Sequence, residues 1–316
     1  YDYTPNLKVG RLPVDDVEQA TAMVDKIVNW EAENDWFKKA ALFGGSPFWT
    51  PYYYGELSEV NSINNDFLNG MDIEKFFLSN DKFTVEEMDD VLSTGNYGII
   101  ELFAHGSGYG IGLDDHMTNE DVAEYEEVDN TPIFLSVACT SGSWDNGVVE
   151  KDFDESFAEG VVRSEAGAIA YIGGSRINYA GWDVRYDFGE VILEEQDYID
   201  VQMAQYLEAY HNGASTIGEM YLDAMNYYVE RNLDEDDWTD KRTVFASVLL
   251  GDPVLGLPAQ EVVSTTEKPD LTALDPTSIG VYDDGIVPIY KIDDGDEIRV
   301  DIESDSDIIQ VSERAL

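Results

Sequence analysis

The amino-acid sequence predicts an α/β domain in which helices cover both faces of a mainly parallel β-sheet. Short apolar segments with strand character alternate along the chain with segments of helical periodicity. This alternation is typical of strands joined by helical crossover connections, which make a parallel sheet. The chain has 316 residues, 43% of them hydrophobic, so it is long enough to enclose a well-buried core.

The individual elements are predicted from apolar spacing and from residues that begin or end helices. After a short strand at 8–12, helices are expected at 14–34, at about 56–68, after Thr84, at 118–128 and at 156–163. Thr84 and Glu87 form a capping-box pattern at the start of the third of these helices. Strands are expected at 40–43, 73–78, 99–104, 133–138 and 168–172. The segment 187–250 is predicted to be mostly helical, ending at Gly251-Asp252-Pro253.

The character of the sequence changes after Pro258. Residues 261–316 have no helical period, and the segment 297–302 alternates between polar and apolar residues as a strand does. We therefore expect an α/β domain over residues 1–258 and a linker with β-structure over residues 259–316.

The charge of the chain is strongly negative. There are 66 acidic and 18 basic side chains, giving a net charge of −48 and a pI near 4.1. Such a field repels nucleic acid and anionic membrane surfaces, and it attracts cations and basic polypeptides. Because the acidic residues are spread over the whole chain, we expect adaptation to a saline or calcium-rich exterior.

Three further features bear on where the protein works. The single cysteine excludes a disulfide within the chain. No apolar stretch approaches the ~18 residues of a membrane span. The sequence begins at Tyr1 without Met or an apolar leader, as a mature or trimmed fragment would. We therefore expect a secreted protein.

Two predicted strands each end in a reactive side chain. His105 follows the apolar run 99–104 and precedes Gly106, and Cys139 follows the run 133–138. The carboxyl ends of neighbouring parallel strands meet at one edge of a sheet. The pattern therefore predicts a cysteine–histidine nucleophile site, in which the amides of Gly106 and Cys139 would stabilise an acyl oxyanion. The alternative is a small buried cysteine and a histidine that only ends a strand.

Five ordered motifs resemble the catalytic core of the gingipain family of cysteine peptidases. They are Val-Gly-Arg-Leu-Pro-Val at 9–14, Ala-His-Gly-Ser-Gly at 104–108, Phe-Leu-Ser-Val-Ala-Cys-Thr-Ser-Gly at 134–142, Gly-Ala-Ile-Ala-Tyr-Ile-Gly-Gly-Ser at 167–175 and Gly-Asp-Pro-Val-Leu at 251–255. The resemblance covers roughly residues 5–257.

This resemblance implies a caspase-like three-layer sandwich and a secreted cysteine endopeptidase acting on polypeptides. Cys139 and His105 would be the catalytic dyad, with the Gly106 and Cys139 amides as the oxyanion hole. No cofactor is needed for the chemistry, structural Ca²⁺ is possible, and an immunoglobulin-like domain would follow the catalytic domain. The acid that orients the histidine in this family would fall near 46–49, where this chain has none.

The substrate pocket is predicted from the same resemblance. Glu56 falls about where Arg-selective members carry an acid at the base of the S1 pocket, although it could simply be a helix-start acid. Arg185 would instead favour an acidic P1 residue if it points into the pocket. The expected pocket walls, which could equally be core residues, are Phe103, Val137, Tyr179 and Trp182.

Two other functions are compatible with the sequence. The absent histidine-orienting acid is compatible with a catalytically silent member that acts as an adhesion or binding module. A hydrolase of small thioesters or amides is a third reading. Acidic clusters at 114–115, 234–237 and 293–296 could bind Ca²⁺, but none has the spacing of an EF-hand loop and no ligand set is assigned.

The net charge of −48 leads to a prediction about stability. Salt screens repulsion between carboxylates, and bound cations neutralise it. The melting temperature should therefore rise when NaCl or CaCl₂ is added. If neither added salt nor chelation changes the melting temperature, the acidic residues do not limit the stability of the fold.

Overall fold

A computed structural model of the chain describes residues 3–30, 35–45, 55–56, 67–123, 125, 128–145, 155–187, 190–259, 291–292, 296–301 and 310–314. In residues 181–197 and beyond residue 290, only the backbone is described.

The central sheet is α/β and mainly parallel, as the sequence predicts. Its strands are β1 (Lys39–Gly44), β2 (Asp72–Phe77), β3 (Ile99–Phe103), β7 (Ile133–Val137), β8 (Ala170–Gly174) and β11 (Ser247–Leu250). Their order is β11-β8-β7-β3-β1-β2, and all neighbours are parallel except β11, which runs antiparallel to β8.

Helices and small sheets complete the described architecture. The helices are α1 (Val17–Asn29), α2 (Val85–Thr94), α3 (Asn119–Ala123), α4 (Phe157–Arg163), α5 (Ile199–His211), α6 (Ile217–Arg231) and α7 (Trp238–Ala246). One small sheet joins β4 (His105–Gly106), β5 (Gly110–Gly112) and β6 (His116–Thr118), and a hairpin joins β9 (Ala180–Asp187) to β10 (Glu190–Tyr198). A third joins β12 (Lys291–Ile292), β13 (Asp296–Asp301) and β14 (Gln310–Arg314). No described helix has both the length and the apolar character needed to cross a bilayer.

The core lies on both faces of the central sheet, which gives the three layers. Along β3, Ile99 and Phe103 belong to one apolar cluster, whereas Ile100 and Leu102 belong to the other. The first cluster contains residues of α5 and α6, and the second contains residues of α1, α2 and α4. Burial on both faces explains why these strands are continuous apolar runs rather than alternating ones.

Side-chain caps fix the starts of several helices. Thr84 accepts a hydrogen bond from the Glu87 amide at 3.2 Å, as expected from its sequence pattern. Ser156 forms a full capping box with Glu159 at the start of α4. These caps satisfy amides that have no partner within the first turn.

The structure corrects four of the element predictions. The short strand expected at 8–12 is reduced to an isolated bridge between Arg11 and Leu250. The first helix covers only Val17–Asn29, and α3 is only five residues long. The segment 187–250 is mostly helical, as predicted, but it also contains strand β10 and the edge strand β11. Pairing with β9 and β8, respectively, outweighs local helical spacing in these two stretches. Most of the helix predicted at 56–68 lies outside the described residues.

The chain divides into two compact units. One comprises Tyr1–Gly181 and Gln196–Val262, and the other comprises Trp182–Glu195 and Val263–Leu316. The central sheet and the two predicted catalytic residues belong to the first unit.

One lysine ties α1 to the end of α4. The Lys26 Nζ donates to the backbone oxygens of Val162 at 3.1 Å, Ser164 at 2.6 Å and Ala168 at 2.9 Å. The ammonium therefore sits where the carbonyls of a helix C-terminus need donors. Its burial lowers the pKa of Lys26 to about 7, against the opposing effect of Glu165.

Replacing this lysine should destabilise the fold. Lys26→Met leaves the three carbonyls without their donor, so we expect the free energy of unfolding to fall by about 2 kcal/mol. Between pH 7 and the ordinary lysine range, the unfolded chain binds more protons at Lys26 than the fold does. The difference between wild type and variant should therefore widen as pH rises from 7 to 9 in urea titrations.

The matched control is Lys38→Met. Lys38 is an exposed lysine whose Nζ lies 3.8 Å from an Asp35 oxygen, and exposed pairs of this kind contribute little. Equal losses in the two variants would contradict a special role for Lys26.

Candidate active site

The pairing of β3 with β7 brings His105 and Cys139 to one edge of the sheet. These neighbouring parallel strands pair in register up to Phe103 and Val137. The Ala104 amide then donates to the Val137 oxygen at 3.1 Å, which continues the alignment past the strand ends. His105 and Cys139 each lie two residues beyond this last pair, Phe103 and Val137. His105 is exposed and Cys139 is partly exposed, so neither is enclosed in the core.

Gly106 packs directly on the backbone of the strand end that carries Cys139. A Cβ at this position would lie 2.7 Å from the Cys139 oxygen and 2.8 Å from the Ala138 Cβ. A side chain would thus force the two strand ends apart, and only glycine allows this close approach. Gly106 and Cys139, the predicted oxyanion donors, are therefore neighbours across the two strands.

The turn that carries Cys139 is strained and firmly held. Thr140 has a φ of 52°, in the left-handed region that a β-branched residue rarely adopts. Its amide donates to the Arg176 oxygen at 2.9 Å, and the Gly142 amide donates to the Gly174 oxygen at 3.0 Å. These bonds, to the last residue of β8 and to the segment after it, offset a strain of about 1–3 kcal/mol.

Asn178 contacts Cys139 and the residue before it. The Cys139 thiol donates to the Asn178 backbone oxygen at 3.6 Å, and the Asn178 side-chain amide donates to the Ala138 oxygen at 3.4 Å. The amide group occupies the space where a Cβ on Gly174 would stand. Sequence reasoning missed Asn178 because only the fold brings it beside Cys139.

Glu56 lies at the same sheet edge, on the histidine side of the pair. It packs against Gly44 at the end of β1, and its carboxylate accepts from the Ser79 amide at 2.7 Å and the Ser79 hydroxyl at 2.6 Å. Burial is the largest influence on this half-buried acid and raises its pKa, although the bonds from Ser79 act in the opposite direction. Its place in a substrate pocket stays a prediction.

The predicted pocket walls have different surroundings. Phe103 and Val137 are 1% and 5% exposed and belong to the core cluster shared with α5 and α6. Tyr179 is 39% exposed and meets the Trp238 ring edge-on. Trp182 and Arg185 lie in β9, where side chains are outside the described part of the structure, so their roles stay predictions. Residues 46–49, where a histidine-orienting acid was sought, are also outside it.

In the described part of the chain, acidic residues of the predicted Ca²⁺ clusters accept hydrogen bonds from backbone amides. Asp114 accepts from the amides of Val85 and Asp115, and Asp237 accepts from the Thr239 amide at the start of α7. Across the described segments, no group of three or more His, Cys, Asp or Glu residues is arranged to hold a metal ion. Calcium binding therefore stays a prediction.

Comparison with solved structures identifies the fold. The chain is similar to the crystal structure of the Arg-specific cysteine proteinase gingipain R, with a TM-score of 0.60 and 17% identity over 82% of this chain and 57% of that one. It is also similar to the complex of the Porphyromonas gingivalis RgpB pro- and mature domains, with a TM-score of 0.58 and 16% identity over 82% of this chain and 58% of the other. The chain thus spans a little over half the length of these structures.

Sequence comparison identifies the family. An uncharacterized protein of Archaeoglobus fulgidus is 23% identical over 195 residues, which cover 55% of this chain and 47% of that protein. The model of peptidase family C25 matches residues 1–258, which is most of the chain. The gingipain resemblance and the caspase-like fold predicted from sequence are thereby confirmed. The chain belongs to peptidase family C25, the gingipain family of cysteine peptidases.

Proposed function

We propose that the chain is a cysteine endopeptidase that hydrolyses polypeptides through Cys139 and His105. The observation that carries this proposal is the in-register pairing of β3 and β7, which sets a thiol and an imidazole at adjacent strand ends. A family of peptidases supplies the reaction class.

The proposed mechanism uses an acyl-enzyme intermediate. His105 accepts the thiol proton, and the Cys139 sulfur attacks the carbonyl carbon of the scissile peptide bond. The amides of Cys139 and Gly106 donate to the resulting oxyanion. His105 then gives its proton to the leaving amine as the C–N bond breaks. Water, deprotonated by His105, attacks the thioester, releases the acid product and restores the thiol.

The test of the dyad is active-site labelling combined with turnover. Because the chain has a single cysteine, a peptidyl acyloxymethyl ketone can label only Cys139 among its thiols. We expect stoichiometric labelling and casein cleavage by the wild type. Cys139→Ala should abolish both, and His105→Ala should lower kcat/KM by about 10³-fold or more.

His116→Ala is the matched control. His116 is an exposed histidine on β6, two strands away from His105 in the same small sheet. The His116→Ala variant should keep wild-type activity. A wild type that is neither labelled nor active would instead favour the silent binding module. Activity confined to small amides or thioesters would favour a hydrolase of small molecules.

We further propose that Glu56 selects Arg or Lys at P1. Its half-buried carboxylate lies at the edge of the sheet that carries the dyad, and a desolvated carboxylate pairs well with a guanidinium. The structurally similar gingipain R is named as an Arg-specific cysteine proteinase, which supports the proposed preference. The net charge of −48 also favours basic substrates.

Glu56→Gln should test the pocket separately from the dyad. We expect kcat/KM for an Arg-containing peptide to fall about 10-fold or more, because an ion pair worth at least ~1.4 kcal/mol is lost. Labelling of Cys139 by iodoacetamide should be unchanged. For the wild type, the KM of the Arg peptide should fall as pH rises through the raised pKa of Glu56, since only the carboxylate binds the cation.

Glu74→Gln is the control for this prediction. Glu74 is a half-exposed acid on β2 that already pairs with Lys39 at 2.9 Å, so its loss should leave P1 preference unchanged. Cleavage after Asp or Glu in a peptide library would transfer the pocket role to Arg185. Cleavage without charge preference would remove both assignments.

The proposed site of action is outside the cell. The net charge of −48 supports a saline or calcium-rich environment, and structural Ca²⁺ would neutralise part of it. Neither the secretion nor the calcium enters the chemical steps above.

A further inference from the structure

The peptide group between Ala138 and Cys139 has hydrogen bonds on its carbonyl side. The Ser141 hydroxyl donates to the Ala138 oxygen at 2.9 Å, and the Asn178 amide approaches the same oxygen at 3.4 Å. The N–H of this same peptide group is the Cys139 amide, one of the two donors in the proposed oxyanion hole. Whatever holds the carbonyl therefore also sets the direction of the amide, because a peptide group is planar.

The hydroxyl of Ser141 is itself part of a longer chain of hydrogen bonds. Its oxygen lies 2.6 Å from the Tyr171 hydroxyl. Serine has one hydroxyl proton, and a carbonyl oxygen can only accept. Since Ser141 donates to Ala138, Tyr171 must donate to Ser141. Burial raises the pKa of Tyr171 to about 12, so the tyrosine keeps the proton that it donates.

Both members of this pair are held in the buried core. Ser141 and Tyr171 are fully buried, and the Ser141 backbone oxygen accepts from the Ala158 amide in α4 at 3.0 Å. The Tyr171 ring stacks on Phe134 with 5.4 Å between centroids, and it meets Phe157 edge-on. Neither hydroxyl can exchange its partner for bulk water without moving the core.

We propose that Ser141, supported by Tyr171, is a positioning residue that orients and polarises the Ala138–Cys139 peptide for oxyanion binding. A hydrogen bond to a carbonyl strengthens the donor at the other end of the same peptide group, as in any hydrogen-bonded chain. A preorganised donor aimed at the oxyanion stabilises the transition state more than the bound substrate. This inference rests on the proposed peptidase function.

A second buried pair of the same composition provides the comparison. Tyr206 in α5 and Ser247 in β11 join their hydroxyls at 2.6 Å, and both are buried. A serine that bonds to a carbonyl three residues earlier is also a common device for stabilising a turn. The experiment must therefore separate an effect on the peptide group from a general loss of stability.

The single cysteine allows the peptide group to be observed directly. Labelling with ¹³C-carbonyl alanine and ¹⁵N cysteine gives one Ala–Cys peptide in the whole chain, hence one cross-peak in an HNCO spectrum. Ser141→Ala should move both the Ala138 carbonyl carbon and the Cys139 amide proton upfield, because each hydrogen bond loses polarisation. Ser247→Ala should leave the cross-peak in place. Equal shifts in both variants, or no shift in Ser141→Ala, would overturn the proposal.

Kinetics supply the functional half of the test. Ser141→Ala should lower kcat for a peptide substrate about 10-fold with KM unchanged, a smaller loss than the roughly 100-fold expected for removing a direct oxyanion donor. Tyr171→Phe should act in the same direction, whereas Tyr206→Phe and Ser247→Ala should retain wild-type kcat. Alkylation of Cys139 by iodoacetamide forms no oxyanion, so its rate should be the same in all of these variants.

The two proposals fail in different ways. A wild type without turnover or labelling would overturn the peptidase function, while the HNCO comparison would still decide whether Ser141 polarises the peptide. An active wild type with undiminished kcat in Ser141→Ala would overturn the positioning role alone. Parallel losses of alkylation and turnover in Ser141→Ala would also overturn it, because they would indicate a collapsed turn.

Discussion

The parallel register between β3 and β7 is the constraint on which the candidate site depends. Phe103 pairs with Val137, so two further residues on each strand lead to His105 and Cys139 at the same height. Side chains alternate between the faces of a sheet, and a slip of one residue would turn one member of the pair to the opposite side. Both strands are buried along their whole length between helical layers, and that burial fixes the register. The close packing of Gly106 on the Cys139 backbone is a consequence of the same alignment.

The scarcity of positive charge makes the position of each cation informative. With 18 basic residues against 66 acidic ones, most carboxylates have no cation to pair with and the net charge repels itself. Arg176 forms a two-bonded pair with Asp145 at 2.9 and 2.5 Å, and its backbone oxygen accepts from the Thr140 amide. A bidentate arginine pair is stronger and more directional than an ordinary surface pair. Arg176 therefore ties the turn after Cys139 to Asp145. Lys26 holds together the backbone at the end of α4 in a similar way.

The sequence predicted those parts of the structure whose signals are local. The apolar runs before His105 and Cys139 identified two central strands, and the residues that follow them identified the candidate dyad. Strands β10 and β11 were missed because their conformation depends on pairing partners rather than on their own periodicity. The bond between Ser141 and Tyr171 joins residues 30 positions apart, and that of Glu56 with Ser79 crosses 23. The order of strands in the sheet determines which residues become such partners. A local sequence pattern does not contain that order.

The two halves of the candidate dyad are supported in different ways, and this has a consequence for catalysis. Around Cys139, strain at Thr140 is balanced by bonds to Arg176 and by the buried Ser141, so several contacts fix the conformation of this turn. His105 instead begins a two-residue strand in a small sheet and is exposed. Oxyanion stabilisation needs donors that do not reorganise during the reaction, and these belong on the rigid side. Proton transfer tolerates a looser arrangement before substrate binds, because catalytic hydrogen bonds tighten in the complex. In the proposed mechanism, the residues around Cys139 hold the oxyanion donors, so the fold gives its firmest support to the groups whose geometry matters most in the transition state.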